Sequence, residues 1–168
     1  MATDLTYFDA RIYLDVTAKS QKSLDLSIPE DNIALRPSLA YTFGGDEDVA
    51  GEADQVYHDQ FTIAASGNVA INLSTCINPF STASAFAYVK AVIIQNASAL
   101  AGVSVGGGTW IAWFADASDK EIIKAGFTKM LAGPTHIAAV GSGETLTITN
   151  LDGVNAATIN VVIIGVVA

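Results

Sequence analysis

From Gln55 onward the chain alternates short apolar runs with small polar or glycine-bearing breaks, and one run is longer than the rest. Ala85 to Asn96 reads A-F-A-Y-V-K-A-V-I-I-Q-N. As a strand it places Phe86, Tyr88, Lys90, Val92 and Ile94 on one face, and Ala85, Ala87, Val89, Ala91 and Ile93 on the other. Both faces are mostly apolar, which suits a strand covered on both sides. The alanines would also fit a helix. The Val-Ile-Ile run and Tyr88 decide for strand, because branched and aromatic side chains fit a pleated surface better than a helical turn.

The same reading predicts strands at Val56–Ala64, Val69–Leu73, Phe86–Asn96, Val103–Val105, Trp110–Phe114, Glu121–Lys124, Phe127–Leu131, His136–Val140, Thr145–Thr149 and Ala157–Val167. Between them stand Ser66-Gly67-Asn68, Asn78-Pro79, Gly106-Gly107-Gly108, Gly133-Pro134, Gly141-Ser142-Gly143 and Asp152-Gly153, all turn-forming. One helical turn is expected near Pro79–Ala85. No ten-residue amphipathic helix separates the strands, which disfavours a parallel α/β sheet. The fold class is all-β, a jelly-roll-like β-sandwich over residues 55–168, with 85–96 as its central strand.

Residues 1–54 read differently. Leu5–Val16, Ser23–Ser27 and Leu39–Phe43 are strand candidates, and Gly44 to Asp54 carries five acids and no base. Such a segment cannot bury enough apolar surface to order itself, so it reads as a linker closing an N-terminal arm. Tyr7-Phe8-Asp9 with Leu24–Ser27 echoes Tyr57-His58-Asp59 with Ile71–Ser74. Matches this short recur by chance, and we read the echo so.

Charge sharpens the picture. Charged residues make up 15% of the chain, against about 25% in ordinary domains, so a free surface needs small polar residues or cover from other subunits. The net charge of −9 is uneven: eleven acids and four bases before residue 55, six acids and four bases after it. An acidic chain without a basic stripe disfavours nucleic acid and anionic membranes as partners. The longest apolar run, Val161–Ala168, is far short of the ~20 residues that span a bilayer, and the N-terminus has no secretory pattern. A single cysteine, Cys76, excludes an internal disulfide and suits a reducing cytoplasm.

Candidate chemistry is sparse. Gly102-Val103-Ser104-Val105-Gly106 matches a nucleophile-elbow motif, with Asp116 or Asp119 and then His136 in hydrolase order. That chemistry needs a helix directly after the serine, whereas Gly107-Gly108 extends a loop. Only 32 residues separate Ser104 from His136, too few for the strand–helix units that hold a triad. Asp116-Ala117-Ser118-Asp119 is sparse for a hard cation and typical of a turn. His58 and His136 lack partners at zinc-ligand spacing, Cys76 looks like a core filler, and Gly106–Gly108 opens no phosphate-binding helix. The sequons at Asn72 and Asn96 carry no weight without secretion. No catalytic, cofactor-binding or metal-ligating residue is assigned, and no enzyme activity is expected. Trp110, Trp113 and Phe114 are closely spaced aromatics that suit a core or subunit contact, or a sugar-stacking platform.

Several segments together resemble the capsid decoration, or cement, proteins of tailed bacteriophages. They are Val56-Tyr57-His58-Asp59, Ala70–Ser74, Phe86–Asn96, Trp110–Phe114 with Asp116–Asp119, Thr145–Asn150 and Ala157–Val167. They lie within Val56 to Val167, a span of about two thirds of the chain. Lys124-Ala125-Gly126 stands where such proteins often have a proline-glycine turn, and residues 1–54 have no counterpart. The resemblance implies a jelly-roll-like homotrimer seated between capsomers on the outer surface of the virion, made in the host cytoplasm. Its partner would be the major capsid protein, with no cofactor and no catalysis. The alternative is a carbohydrate-binding β-sandwich of a phage tail or fibre that uses Trp110 or Trp113. Burial of the tryptophans separates the two.

Overall fold

The computed structural model describes residues 9–12, 16–21, 30–35, 41–44, 53, 55–77, 83–110, 114, 116–133 and 138–167. Among them every regular element is a strand, as the alternating pattern requires. In the arm, β1 (Asp9–Ile12) pairs antiparallel with β4 (Tyr41–Gly44). Between them in the chain, β2 (Val16–Gln21) pairs with β3 (Glu30–Leu35). One ladder is nested inside the other, the order of a β-ribbon. The acid-rich Glu30–Leu35 was not expected as a strand, and the expected Ser23–Ser27 lies outside the described residues.

From residue 55 the strands are β5 (Gln55–Ile63), β6 (Asn68–Asn72), β7 (Cys76–Ile77), β8 (Ala83–Ser84), β9 (Phe86–Asn96) and β10 (Val103–Gly106). They continue as β11 (Lys120–Ile123), β12 (Thr128–Ala132), β13 (Ala138–Ala139), β14 (Thr145–Asn150) and β15 (Ala157–Val167). One sheet has the order β12–β9–β15–β5, with β13 also beside β9; the other has β11–β10–β14–β6. Every pairing is antiparallel, and one set of pairs is nested. β5 meets β15, β6 meets β14, β9 meets β12 and β13, and β10 meets β11. Residues 55–167 thus run as a long hairpin whose paired arms fall alternately into the two sheets of a β-sandwich.

The core lies between the sheets. Ile63, Val92, Ile94, Ile159, Val161 and Ile163 come from one sheet; Ile71, Val103, Val105, Leu146 and Ile148 come from the other. β14 shows the pleat plainly: Leu146, Ile148 and Asn150 are buried while Thr145, Thr147 and Thr149 are half-exposed. β9 is covered on both faces, as its two apolar faces require. Val92 and Ile94 enter the core, and Ala91 packs outside with Ile164, Ala53 and the half-buried Ile93. A bulge helps to seat it: Ile164 opposes Ala91 but Gly165 opposes Val89, leaving Lys90 as the extra residue. At Gly165 a Cβ would collide with the Tyr88 carbonyl oxygen and lie 2.8 Å from Phe86 Cδ1.

Three expectations need correction. Ala83–Ser84 is strand paired to Cys76–Ile77, not part of a helical turn. Trp110 and Phe114 lie outside any strand, because Gly107-Gly108 ends the ladder before them; Ile111–Trp113 are outside the described residues. Of His136–Val140, Ala138 and Ala139 are strand and Val140 is not, while His136 and Ile137 are outside the described residues.

Candidate functional site

Nesting brings four connections to one end of the sandwich. They are β5–β6 (residues 64–67), β9–β10 (97–102), β11–β12 (124–127) and β14–β15 (151–156). The registers fix this, since Ile63 faces Ala157, Asn96 faces Ile159, Val103 faces both Ile123 and Asn150, and Thr128 faces Gln95. The loops also bond one another. Ser66 N donates to Asp152 O (2.8 Å), Leu151 N to Gly102 O (3.0 Å), and Gly126 N to Asn96 O (2.9 Å).

Two buried asparagines, one ending the central strand of each sheet, hold this end together. Asn96 Nδ2 donates to Ala101 O (2.8 Å) and Ile123 O (3.1 Å), while its Oδ1 accepts from Ser98 N (3.1 Å). Asn150 Nδ2 reaches Asn155 O (2.8 Å), Ala64 O (3.1 Å) and Ile63 O (3.2 Å), while its Oδ1 accepts from Asp152 N (2.9 Å). Both side chains are fully used and almost without solvent contact, as a buried amide must be. Next to Asn150, the Asp152 carboxylate accepts from Asn155 N (2.9 Å) and Val154 N (2.7 Å). Those N–H groups, Asn155 first, hold its carboxyl below the ordinary carboxylate range.

What this scaffold presents is apolar. Leu100 is 73% exposed, Phe127 63%, Leu151 52% and Val154 86%. Of the five large hydrophobic residues exposed among those described, these four stand on the tip; the fifth, Ile122, lies on β11. The four loops carry one base, Lys124, and one acid, the bonded Asp152. Four large apolar side chains with little charge around them thus share one pre-bonded end.

Elsewhere, a cavity of about 440 Å3 opens at the sandwich edge, between β5 and β6, lined by Tyr57, Asp59, Phe61, Ile71, Asn72 and Cys76 among others. Burial, and then Asp59, pushes the Tyr57 hydroxyl well above its usual range. Tyr57 Oη donates weakly to Asp59 Oδ2 at 3.4 Å. Burial pushes the Cys76 thiol up to about 11, and Cys76 Sγ donates to Asn72 O (3.1 Å), so at neutral pH it is a packed thiol rather than a nucleophile.

The motif residues disperse. Ser104 sits inside β10, 2% exposed, and its Oγ has no hydrogen-bond partner. The chain continues through Gly106, at φ +119°, into a loop and then β11, so the elbow the motif needs is missing. Asp116 and Asp119 close an exposed turn: Ser118 N and Oγ each donate to Asp116 Oδ1 at 2.8 Å, and Asp116 N donates to Asp119 Oδ2 at 3.1 Å. These bonds, the Ser118 N–H first, lower the Asp116 carboxyl. His58 is exposed on β5. Among the described residues no three His, Cys, Asp or Glu side chains gather as a metal site, and no helix is long and apolar enough to cross a membrane. Trp110 is 2% exposed in the core, its Nε1 donating to Ala139 O at 3.3 Å. It offers no ring face to a sugar; Trp113 lies outside the described residues.

Of the four tip residues the sequence pattern singles out Phe127 alone, as the start of a strand Phe127–Leu131, whereas β12 begins at Thr128 and Phe127 stands in the turn before it. The signal lies in the turn segments, where Lys124-Ala125-Gly126-Phe127 and Leu151-Asp152-Gly153-Val154 put large apolar residues in chain that water should claim. No protein-family model, curated protein or solved structure matches the chain.

Proposed function

We propose that the chain is a structural virion protein, a decoration or cement protein that binds between capsomers of a tailed-phage head and braces the shell, working as a homotrimer on the outer surface. The observation that carries this reading is the N-terminal ribbon. Its two ladders, β1 with β4 and β2 with β3, are each only two strands wide. A two-stranded ladder is marginal alone in water and needs a third surface to hold it. Among the described residues, the strands β5–β15 pair with one another. An acidic ribbon seeking a partner, tethered to a rigid sandwich, suits a clamp across a subunit boundary that orders on binding.

Burial of Trp110 supports the same reading over the sugar-binding alternative, since it removes one of the two stacking platforms that reading needs. The resembling segments also occupy framework positions: Phe86–Asn96 is β9, Thr145–Asn150 is β14 and Ala157–Val167 is β15.

The test compares the full chain with a truncation lacking residues 1–54 on expanded, undecorated heads of the phage that carries it. The full chain should saturate the heads and raise their resistance to heat and salt, and the truncation should lose most of that effect. A full chain that ignores the heads sinks the reading. A truncation that saturates them with unchanged resistance removes the ribbon from it.

A further inference from the structure

We infer that the four-loop tip is the face of the sandwich that seats on the shell, with Leu100, Phe127, Leu151 and Val154 entering an apolar recess between shell subunits. The inference rests on the decoration reading and says which surface does the docking. Three properties of the tip choose its occupant.

First, charge. The tip carries Lys124 and the internally bonded Asp152, on a chain of net charge −9. No ring of basic residues surrounds the apolar side chains on these loops, so nothing draws the tip to an anionic bilayer against the repulsion of the rest. An uncharged apolar patch without basic anchors fits a protein partner, whose interface cores are likewise depleted of charge.

Second, shape. The four side chains project from turns, 52% to 86% exposed. A two-fold contact between copies requires one patch to complement itself, and a set of projecting knobs does not. A contact around a three-fold would instead set the knobs on another face of the next copy; the triple serine variant below would then lose the oligomer, which would overturn the shell as the occupant. A partner that supplies the concavity fits the knobs, and the decoration reading places one at the junction between shell subunits.

Third, size and rigidity. Four side chains fall well short of the roughly 800 Å2 per partner of a stable, specific pair. A contact this small holds only where a second attachment raises its effective concentration, and the ribbon is such a second attachment. Rigidity keeps the ordering cost low, because Asn96, Asn150 and the loop-to-loop bonds already fix the backbone before docking.

The experiment uses the full chain, with Leu100→Ser, Phe127→Ser and Val154→Ser made singly and together. Ile122→Ser, an equally exposed apolar residue off the tip, is the control. All are surface changes, so melting temperature and far-ultraviolet dichroism should match the parent. Binding to expanded heads, read by co-sedimentation, should weaken roughly tenfold for each tip substitution and remain unchanged for the control. Parent-like binding by the triple variant overturns the tip as the seat while leaving the decoration reading intact. A parent chain that does not bind heads overturns both. Binding of the parent to phosphatidylcholine or phosphatidylserine vesicles that the triple variant loses assigns the tip to lipid and overturns the shell.

Discussion

Replacing Asn150 by Asp changes one NH2 group to oxygen and should expose how the loop end is held. The native amide donates to three carbonyls, Asn155 O, Ala64 O and Ile63 O, at 2.8 to 3.2 Å. In the variant a carboxylate oxygen faces those three acceptors in a site that is 2% exposed. The Asp152 N–H bond to the other oxygen survives. The two N–H donors shared among those three acceptors, lost at about 1 kcal/mol each, together with an unpaired charge buried among carbonyl dipoles, should cost about 3–5 kcal/mol at pH 7. For a chain this size that lowers the melting temperature by roughly 10 °C. The deficit should also depend on pH. Burial and three facing acceptors raise the native pKa of the new carboxyl above its unfolded value of about 3.9. The native state then binds more protons than the unfolded state, so stability relative to the parent falls as pH rises from about 4 through the native pKa. In acid, the protonated group regains one donor and part of the loss returns. Thermal melts of parent and variant from pH 3.5 to 8 read both effects. A variant within 1 kcal/mol of the parent at pH 7, or a deficit that does not change with pH, would refute the assignment of Asn150 as the clasp of this end.

The remaining predictions are smaller. Gly165→Ala should cost about 1–3 kcal/mol in a chemical-denaturant titration, because the new methyl meets the Tyr88 carbonyl oxygen and Phe86 at the β9 bulge, and backbone cannot step aside cheaply. Ser104→Ala should raise stability by about 1 kcal/mol in the same titration, since it deletes a buried hydroxyl without a partner; a loss of stability would reveal a bond this structure does not contain. Cys76 and Tyr57 both have raised native pKa values, so their stabilisation is complete below the unfolded values, near 9 and 10, and is lost as pH rises above them. Melting temperature should therefore decline from about pH 9, less steeply in Tyr57→Phe, and the Cys76 thiol should react with a disulfide reagent at pH 8 only as fast as the chain opens.

The framework was legible because its signal is periodic. Phe86–Asn96 became β9 with the expected ends, and β5, β6, β10, β11, β12, β14 and β15 fell within a residue or two of their apolar runs. Errors cluster where the pattern lacks a period. Glu30–Leu35 opens with two acids, so its strand character rests on the partner it pairs with rather than on its own composition. Trp110 looked like strand because it is aromatic, but its place follows from the bonds Trp110 N makes to Thr145 O and Nε1 to Ala139 O, both distant in sequence. The tip was the least legible part. Four loops separated by tens of residues become neighbours only through nested pairing, and no local window shows that Leu100 and Val154 share an end. The two asparagines were hidden for the same reason, since an Asn at a strand end is ordinarily a turn residue.

The low charge of the sandwich can now be divided between its two possible causes. Part of it is met by small and amide side chains that hydrogen-bond along the sheets. Gln60 Nε2 donates to Asn160 Oδ1 (2.8 Å), and Asn160 Nδ2 donates to Gln95 Oε1 (2.9 Å), a ladder across β5, β15 and β9. On the other sheet, Thr145, Thr147 and Thr149 line the outer face of β14. These rows wet parts of both sheets without charge, while the face around Ala91, Ile164 and Ile93 is apolar. The tip is different, because its turns carry large apolar side chains where turn residues are usually small or polar. Exposed apolar residues scattered singly need no explanation, but four gathered on one pre-bonded end do. The fold would tolerate serine at each of those positions. On the docking reading proposed above, their apolar character answers to a partner, and the four loops are where it should first be sought.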